Sequence, residues 1–205
     1  MNKKTLVVAV ALVAQVAAIS WLIWRYERIV SFGTEVRFAC RAYDPYDPFR
    51  GRYLRTRVSE DCLNLSFQVA ETNRHEFYGR LFARLEPTGA DGLWRVAEAA
   101  VEPGVEGLWV RPKGSSVEYR LDWSARGKDE NWDDFNKRVK ESGLKAVMTF
   151  PDQLFVNEKL APEAEKALGK ATGKSAVAVY RVLDGEMVIT DIEIDGKSVT
   201  RLSGE

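Results

Sequence analysis

Few side chains in this sequence have the types and spacing that catalysis needs. His75 is the single histidine, so no second imidazole can complete a zinc site or a proton relay. No Gly-x-Ser-x-Gly turn presents a nucleophilic serine, and no glycine-rich pattern suited to a nucleotide phosphate occurs. The sequence therefore predicts no catalytic residue, no metal ligand and no cofactor, and it indicates a protein that is not an enzyme.

Carboxylates leave one enzymatic alternative open. Two acids at a suitable separation can hydrolyse a glycosidic bond, and tryptophans can stack on sugar rings. The acidic groups fall at the starts of two predicted helices, where negative charge interacts favourably with the helix dipole. The alternative function is a carboxylate-based hydrolase of the cell envelope or a glycan-binding module. The acids concerned are Asp129, Glu130, Asp133, Asp134, Glu158, Glu163 and Glu165.

An uncharged apolar run, Leu6 to Trp24, is long enough to cross a bilayer. At 1.5 Å per residue it spans about 28 Å, close to the hydrocarbon thickness of about 30 Å. Two tryptophans stand at one end, where amphipathic rings settle among headgroups. The run predicts a transmembrane helix over about 6–24, within an anchor of residues 1–28. The alternative is a signal peptide cleaved near Ala18, which would leave a secreted protein.

The charges that flank this run predict its orientation. Lys3 and Lys4, together with the terminal amine, outweigh Arg25 and Arg28, so the N-terminus stays in the cytoplasm. Residues 29–205 then form one domain that faces the periplasm or the cell exterior from a single-pass inner-membrane protein. Thirty basic residues balance thirty acidic ones, so we predict no nucleic-acid partner.

Two cysteines suit an oxidising compartment. Cys40 and Cys62 are predicted on strands that flank the segment from Asp44 to Val58. A disulfide between them would close that loop at its base. Two unpaired buried thiols are the alternative, because bridging depends on a Cα separation that the sequence does not give.

Beyond the anchor, alternating apolar residues and turn residues predict mainly antiparallel strands. Val36, Phe38 and Cys40 alternate with charged residues, which is typical of a half-buried strand. Asp-Gly pairs that begin at Asp184 and Asp195 predict tight hairpins. Further strands are predicted at 63–69, 78–85, 93–101, 108–111 and 117–123, with Trp94, Trp109 and Trp123 in their core faces.

Two helices interrupt the strands. The first has Asn131 as N-cap and stops at Gly143, and the second begins near Pro162 and ends near Gly169. The predicted fold class is α+β: a predominantly antiparallel β domain with two short helices, preceded by one N-terminal transmembrane helix. The core-facing residues are Trp132, Phe135 and Val139 in the first helix and Leu160, Ala164 and Leu168 in the second.

The segment DPYDPFRGRYLRTRV, from Asp44 to Val58, predicts a stiff loop followed by a strand. Its two prolines hold the preceding residues in extended conformations, and the following glycine permits a turn. In the strand, Leu54, Thr56 and Val58 share the inward face. The outward face carries Tyr53, Arg55 and Arg57.

This segment resembles the signature of the GDYXXLXY family, which comprises membrane-anchored bacterial proteins. Gly51 and Tyr53 match the signature, whereas Arg52 replaces its acidic residue, Thr56 its leucine and Val58 its final tyrosine. The preceding DPFRG and the later FVNEKLAPEAEKAL and ITDIEIDGKSV also resemble the family. The predicted motif residues are Asp47, Pro48, Arg50, Gly51, Arg52 and Tyr53.

Because Arg52 reverses the charge of the motif, we predict that the motif is mainly structural here. The alternative is a basic patch beside the membrane, which would bind anionic lipid or an acidic partner surface; its residues are Arg50, Arg52, Arg55 and Arg57. The resemblance also implies a polytopic membrane protein as partner, since family members are often encoded beside one. We therefore predict a membrane-anchored, non-enzymatic interaction protein, which contacts the lipid bilayer through its N-terminal helix.

Overall fold

The computed structural model describes residues 2–42, 53–59, 65–66, 76–89, 91–121, 123–128, 130–156, 161–170 and 175–200. Several predictions fall on other residues and so lie outside the described residues. These are the predictions for Asp47, Pro48, Arg50, Gly51, Arg52, Cys62, His75, Asp129, Glu158 and Leu160.

The predicted N-terminal helix is confirmed and is longer than predicted. Helix α1 runs from Lys3 to Phe32, and its apolar part is long and hydrophobic enough to span a membrane. No separate stem follows it, because strand β1 begins at Thr34. The predicted division between residues 28 and 29 falls inside α1, at the point where Ile29 becomes the first helix residue buried against the domain.

The rest of the described chain is an antiparallel α+β domain, as predicted. The helices are α2 (Trp132–Glu141) and α3 (Ala161–Lys170), with a 3-10 turn at Trp123–Ala125. The strands are β1 Thr34–Ala42, β2 Tyr53–Val58, β3 Leu65–Ser66, β4 Phe82–Pro87, β5 Trp94–Ala100, β6 Leu108–Val110, β7 Gly114–Tyr119, β8 Leu144–Thr149, β9 Gln153–Phe155, β10 Ala176–Leu183, β11 Glu186–Ile194 and β12 Lys197–Ser198. They form a six-stranded sheet in the order β12-β11-β10-β1-β2-β9 and two three-stranded sheets in the orders β3-β8-β7 and β5-β4-β6.

The register of β1 with β10 sets which end of the large sheet lies beside α1. Thr34 pairs with Val182 and Ala39 with Val177, so β1 leads away from α1 and β10 returns towards it. The turn between β10 and β11 therefore lies against α1. At about 3.3 Å per residue, the far end of β1 lies about 25 Å along the strand from its start.

Aromatic rings fill the core beneath the large sheet. Phe38 is completely buried; its ring centroid lies 5.4 Å from that of Phe150 and 5.9 Å from that of Tyr180. The Tyr180 hydroxyl donates to the Pro151 carbonyl at 2.9 Å. Burial raises the pKa of Tyr180, helped by nearby Cys40 and Asp152. The predicted inward face of β1 is confirmed, because Val36, Phe38 and Cys40 are all buried.

Helix α2 follows its predicted capping but not all of its predicted packing. The Asn131 side chain accepts from the Asp133 backbone N–H at 3.2 Å. Phe135 and Val139 are buried, as predicted. Trp132 was predicted to share their core face and is instead 53% exposed, with the Arg126 guanidinium 4.1 Å from its ring centroid. Trp132 is the first residue of α2 and lies beyond the part of the domain surface against which Phe135 and Val139 pack.

Several strand predictions were displaced or incomplete. The strand predicted at 78–85 begins only at Phe82. The strand predicted at 117–123 is β7, which starts earlier, at Gly114, and ends at Tyr119. Strands β8 and β9 were not predicted. Trp94 packs against the core and Trp109 is half-buried, whereas Trp123 lies in the 3-10 turn and not in a strand.

Candidate functional site

Strand β2 carries the described part of the family signature. Leu54, Thr56 and Val58 are buried, as predicted, at 0%, 1% and 5% exposure. Thr56 and Val58 stand where the signature has its leucine and its final tyrosine. Both signature positions therefore point into the core of this protein. Tyr53 is the first residue of β2 and pairs with Phe155 of β9.

On the other face of β2, Arg55 takes part in an ion-pair cluster. Its Nε donates to the Asp152 Oδ2 at 2.8 Å, and the Lys113 Nζ donates to the Asp152 Oδ1 at 2.7 Å. Burial alone would raise the pKa of Asp152, but the hydrogen bonds and charges of Lys113 and Arg55 outweigh it and hold that pKa below its usual value. Arg55, predicted for partner binding, is thus engaged within its own domain.

Thr56 is buried with an unused hydroxyl. Its backbone N–H donates to the Asp152 carbonyl at 2.9 Å. Its Oγ1 has no hydrogen-bond partner among the residues that the structure describes. A buried hydroxyl without a partner costs about 1–3 kcal/mol of stability.

The substitution Thr56→Val is therefore expected to stabilise the protein by about 1–2 kcal/mol, because valine keeps the shape and removes the unpaired hydroxyl. The measurement is urea unfolding of the full chain in detergent. Thr190→Val is the matched control and is expected to destabilise, since the Thr190 hydroxyl donates to the Val179 carbonyl at 3.3 Å. Loss of stability in Thr56→Val would contradict the prediction and would indicate a partner in a segment outside the described residues.

Of the arginines predicted for the basic patch, Arg57 lies far from α1. It is exposed and lies opposite exposed Arg41 in the register of β1 with β2. Both residues lie at the far end of β1, about 25 Å along the strand from α1. Arg50 and Arg52 lie outside the described residues. The basic patch beside the membrane, and partner binding by Arg52, Arg55 and Arg57, stay predictions.

Cys40 lies in the core, and its pairing with Cys62 stays a prediction. Cys40 carries a free thiol that is 1% exposed, whereas Cys62 lies outside the described residues. Burial raises the pKa of the Cys40 thiol to about 12, opposed by a backbone hydrogen bond from Ala178. The thiolate, which is the reactive form, is therefore scarce at neutral pH.

Among the acidic residues of the enzymatic alternative, Glu130 has structural contacts and two others lie at the start of a helix. Glu130 accepts from the Gly127 N–H and from Arg138, both at 3.1 Å. Asp133 and Asp134 lie in the first turn of α2, as predicted. Among the described residues, no three His, Cys, Asp or Glu side chains form a group that could hold a metal ion. With Glu158 and His75 outside those residues, the absence of a metal or catalytic site remains a prediction.

One spacing known from acyl-transfer enzymes went unnoticed in the sequence. Ser142 and Lys145 form a Ser-x-x-Lys pattern. The Ser142 hydroxyl, however, donates to the Val139 carbonyl at 2.6 Å and accepts from the Leu121 N–H at 3.1 Å. The serine therefore caps the end of α2, and Lys145 lies in β8 opposite Glu118.

The site with the most distinctive geometry lies where α1 meets the β10–β11 turn. Asp184 and Gly185 form this turn, with φ values of 52° and 80°, as the predicted Asp-Gly hairpin requires. The Arg25 Nε donates to the Glu186 Oε2 at 2.9 Å, and Arg28 forms an ion pair with Asp184. The turn is thus joined to α1 by two arginine–carboxylate pairs.

Hydrogen bonds to backbone carbonyl groups hold the same junction on both sides. The Gly33 N–H donates to the Ile29 carbonyl at 2.9 Å, and Arg181 donates to the Gly33 carbonyl at 3.1 Å. On the other side, the Arg111 N–H donates to the Gly185 carbonyl at 2.8 Å. The turn is therefore held between α1 and the end of β6, so its position is fixed by the fold.

The helix geometry places the turn close to the end of the apolar run. Arg25 and Arg28 follow Trp24 by one and four residues, which is about 2–6 Å along the helix. The headgroup layer is about 5–7 Å thick on each side of the hydrocarbon. In a helix that spans a bilayer with Trp24 at the boundary, the β10–β11 turn would therefore lie among the headgroups.

The face of α1 that contacts the domain continues along the apolar run. Residues spaced alternately four and three apart share one face of a packed helix. Ile29 is buried against the domain and Arg25 is paired with Glu186, whereas the preceding positions of this face are exposed. We name this face the α1 seam, which consists of Ala11, Gln15, Ala18, Leu22, Arg25 and Ile29.

Sequence reasoning missed these partnerships although it noticed most of the residues. Arg25 and Arg28 were interpreted only as charges that flank the anchor, and Asp184 only as a turn residue. The four-three spacing of the seam is visible in the sequence and could have predicted this face. No signal in the sequence predicts the contact between α1 and the hairpin.

Together these features define a class: an antiparallel α+β domain joined rigidly to an N-terminal helix of membrane-spanning length. Comparison with protein families found that the GDYXXLXY protein family matches residues 15–192, and the chain belongs to this family. The resemblance noted at β2 is thereby confirmed. Comparisons with curated proteins and with solved structures found no match. The family name describes a sequence motif and assigns no activity.

Proposed function

We propose that the protein is a non-enzymatic interaction partner of a polytopic membrane protein, held in the inner membrane by α1 with its domain facing the periplasm or the cell exterior. The partner contributes a transmembrane helix that packs along the α1 seam. The observation that carries this proposal is Gln15, a polar amide at the midpoint of the apolar run. The other seam residues within the run are all apolar.

Gln15 has a strong physical reason to be paired. It is exposed on α1, and it lies nine residues from each end of the run from Leu6 to Trp24, which is about 14 Å from either boundary. Amide groups at this depth lack water and hydrogen-bond across helices. Ala11 and Ala18 flank it on the seam, and such small residues allow a second helix to approach closely.

The domain adds a second contact for the same partner. A helix packed along the seam would reach the β10–β11 turn at its end, because Arg25 and Ile29 belong both to the seam and to the junction with the domain. An extracytoplasmic loop of a polytopic protein could then lie on the turn. A rigid junction supports this arrangement, since the anchor and the domain present one continuous surface.

We expect Gln15→Leu to reduce the amount of polytopic protein recovered with the chain about 3- to 18-fold, which corresponds to the loss of an interhelical hydrogen bond of about 0.6–1.7 kcal/mol. The measurement is quantitative mass spectrometry after purification of the full chain in mild detergent. Ser20→Leu is the matched control, because Ser20 is the other polar residue of the run and lies away from the seam. It should leave recovery unchanged.

Photocrosslinking in native membranes identifies the neighbour of the seam directly. A crosslinker at Ala18 is expected to yield an adduct with a multispanning protein, and one at neighbouring Ala17, which lies off the seam, is not. An adduct with a second copy of this chain would contradict the proposal. Equal adducts from both positions, or an Ala18 adduct unaffected by Gln15→Leu, would also contradict it.

A further inference from the structure

A cleft separates the end of α1 from the β10–β11 turn. Its volume is about 380 Å³, within the range of about 300–1,000 Å³ that small-ligand sites occupy. Two tryptophans, two arginines and two carboxylates line it: Trp21, Trp24, Arg25, Arg28, Asp184 and Glu186. We propose that this cleft binds the headgroup of a phospholipid that carries both a phosphate and a primary amine, the phosphatidylethanolamine class.

The position of the cleft selects a lipid. Its lining on α1 begins at Trp21, inside the apolar run, and extends to Ile29, about 7.5 Å beyond Trp24. It therefore spans the depth at which acyl chains give way to headgroups. Indole rings prefer this depth, and they offer an apolar wall to the first carbons of the chains as well as a π face to an ammonium group.

The charges that line the cleft favour a zwitterionic headgroup as its ligand. Its lining carries two guanidinium groups and two carboxylates, so its formal charge cancels. Guanidinium groups bind phosphate oxygens with paired hydrogen bonds, and carboxylates accept hydrogen bonds from a primary ammonium. A headgroup with phosphate alone would leave Asp184 and Glu186 facing an added negative charge. A trimethylammonium headgroup has no N–H to donate to them.

The ion pairs that now cross the cleft are weak enough to exchange. The side chains of Arg25 and Glu186 are 50% and 40% exposed, and those of Arg28 and Asp184 are 44% and 69% exposed. Ion pairs as exposed as these contribute little to stability, because water screens the attraction between their charges. When a phosphate and an amine enter the cleft together, the phosphate binds the two arginines and the amine binds the two carboxylates. No charged group of the cleft is then left without a partner. The cleft itself persists because the turn is held by Ile29 and by the backbone of Arg111.

The test compares lipid adducts of the full chain in detergent by native mass spectrometry, with equal amounts of phosphatidylethanolamine and phosphatidylglycerol supplied. The wild type is expected to prefer phosphatidylethanolamine. The double variant Asp184→Asn, Glu186→Gln makes the cleft cationic and is expected to shift the ratio of the two adducts about tenfold towards phosphatidylglycerol. Asparagine suits the positive φ at position 184, so the turn is preserved.

The matched control is the double variant Glu86→Gln, Glu98→Gln. It removes the carboxylates of two exposed arginine pairs on β4 and β5 and so changes the net charge equally. It should leave the ratio unchanged. Equal adducts in the wild type, or an equal shift in the control, would overturn the proposal.

Competition with inorganic phosphate distinguishes binding of the whole lipid headgroup from binding of a phosphate group alone. Inorganic phosphate at matched concentration is expected to leave the phosphatidylethanolamine adduct in place; complete displacement would show a bare anion site and overturn the proposal. The inference requires α1 to lie in a bilayer, but it does not require a protein partner. If the test of lipid binding failed, the prediction for Gln15→Leu would be unaffected.

Discussion

Replacing Phe38 with alanine is expected to lower the free energy of unfolding by about 3–5 kcal/mol, the cost of removing a fully buried ring. Phe38 is 0% exposed and lies between the rings of Phe150 and Tyr180. These neighbours come from different strands and loops, so the cavity cannot close without moving several elements. The measurement is urea unfolding of the full chain in detergent, followed by tryptophan fluorescence.

Phe155→Ala is the matched control, because the same ring is deleted from a side chain that is 71% exposed. Its effect should be below about 1 kcal/mol. If the two variants lost similar stability, the aromatic core beneath the large sheet would not be the main source of cooperativity. The sheet order inferred for β1 and β10 would then be in doubt as well.

Gly33→Ala is expected to destabilise the junction between α1 and β1 by about 1–3 kcal/mol, as overpacking does. Gly33 has φ of −68°, so its role is not turn geometry. A Cβ at this position would lie 2.5 Å from the Ile29 carbonyl oxygen and 3.0 Å from the Val182 nitrogen. The backbone atoms must therefore separate, and the hydrogen bond from the Gly33 N–H would weaken.

Hydrogen exchange shows where this loss of stability falls. Protection is expected to drop at the start of β1 and at the end of β10, while α2 is unaffected. Gly114→Ala is the control, since a Cβ there meets only the Thr149 Cβ at 3.9 Å. Alanine at such a site is neutral or slightly stabilising. Unchanged exchange at β1 and β10 in Gly33→Ala would contradict the tight junction.

The tight junction bears on how the protein would work in a membrane. Helix α1 continues directly into the domain, with Gly33 as the single residue between α1 and β1. A change in the tilt of α1 would therefore move the β10–β11 turn with it. A partner helix on the α1 seam and a headgroup in the cleft would both act on the same rigid unit.

Features that depend on neighbouring residues could be predicted from the sequence. The inward faces of β1 and β2 followed from alternation, because successive side chains of a strand point to opposite sides. The Asp184 turn followed from its Asp-Gly pair, and the start of α2 from the Asn131 cap. Each of these depends on a few bonds within a short segment.

Features that depend on packing between distant segments were missed. Trp132 has the spacing of a core residue, but the surface that α2 rests on ends before its first turn. Strand β9 has three residues, which is too few for a clear alternation. The pairing of β8 with β7 and of β9 with β2 is set by the sheet order. Asp152 binds Arg55 of β2 and Lys113, which directly precedes β7. These three residues are distant along the chain, so no local sequence pattern predicts their contact.

The sequence by itself determined an N-terminal helix long and apolar enough to span a membrane, the α+β class and the family. Apolar length, alternation and motif residues are all properties of continuous segments. Only the tertiary structure decided where the charged groups lie. Arg57 is close to the anchor along the chain and far from it in space, whereas Asp184 is distant along the chain and in contact with Arg28. The reason is the direction of β1, which leads away from the helix, and of β10, which returns to it.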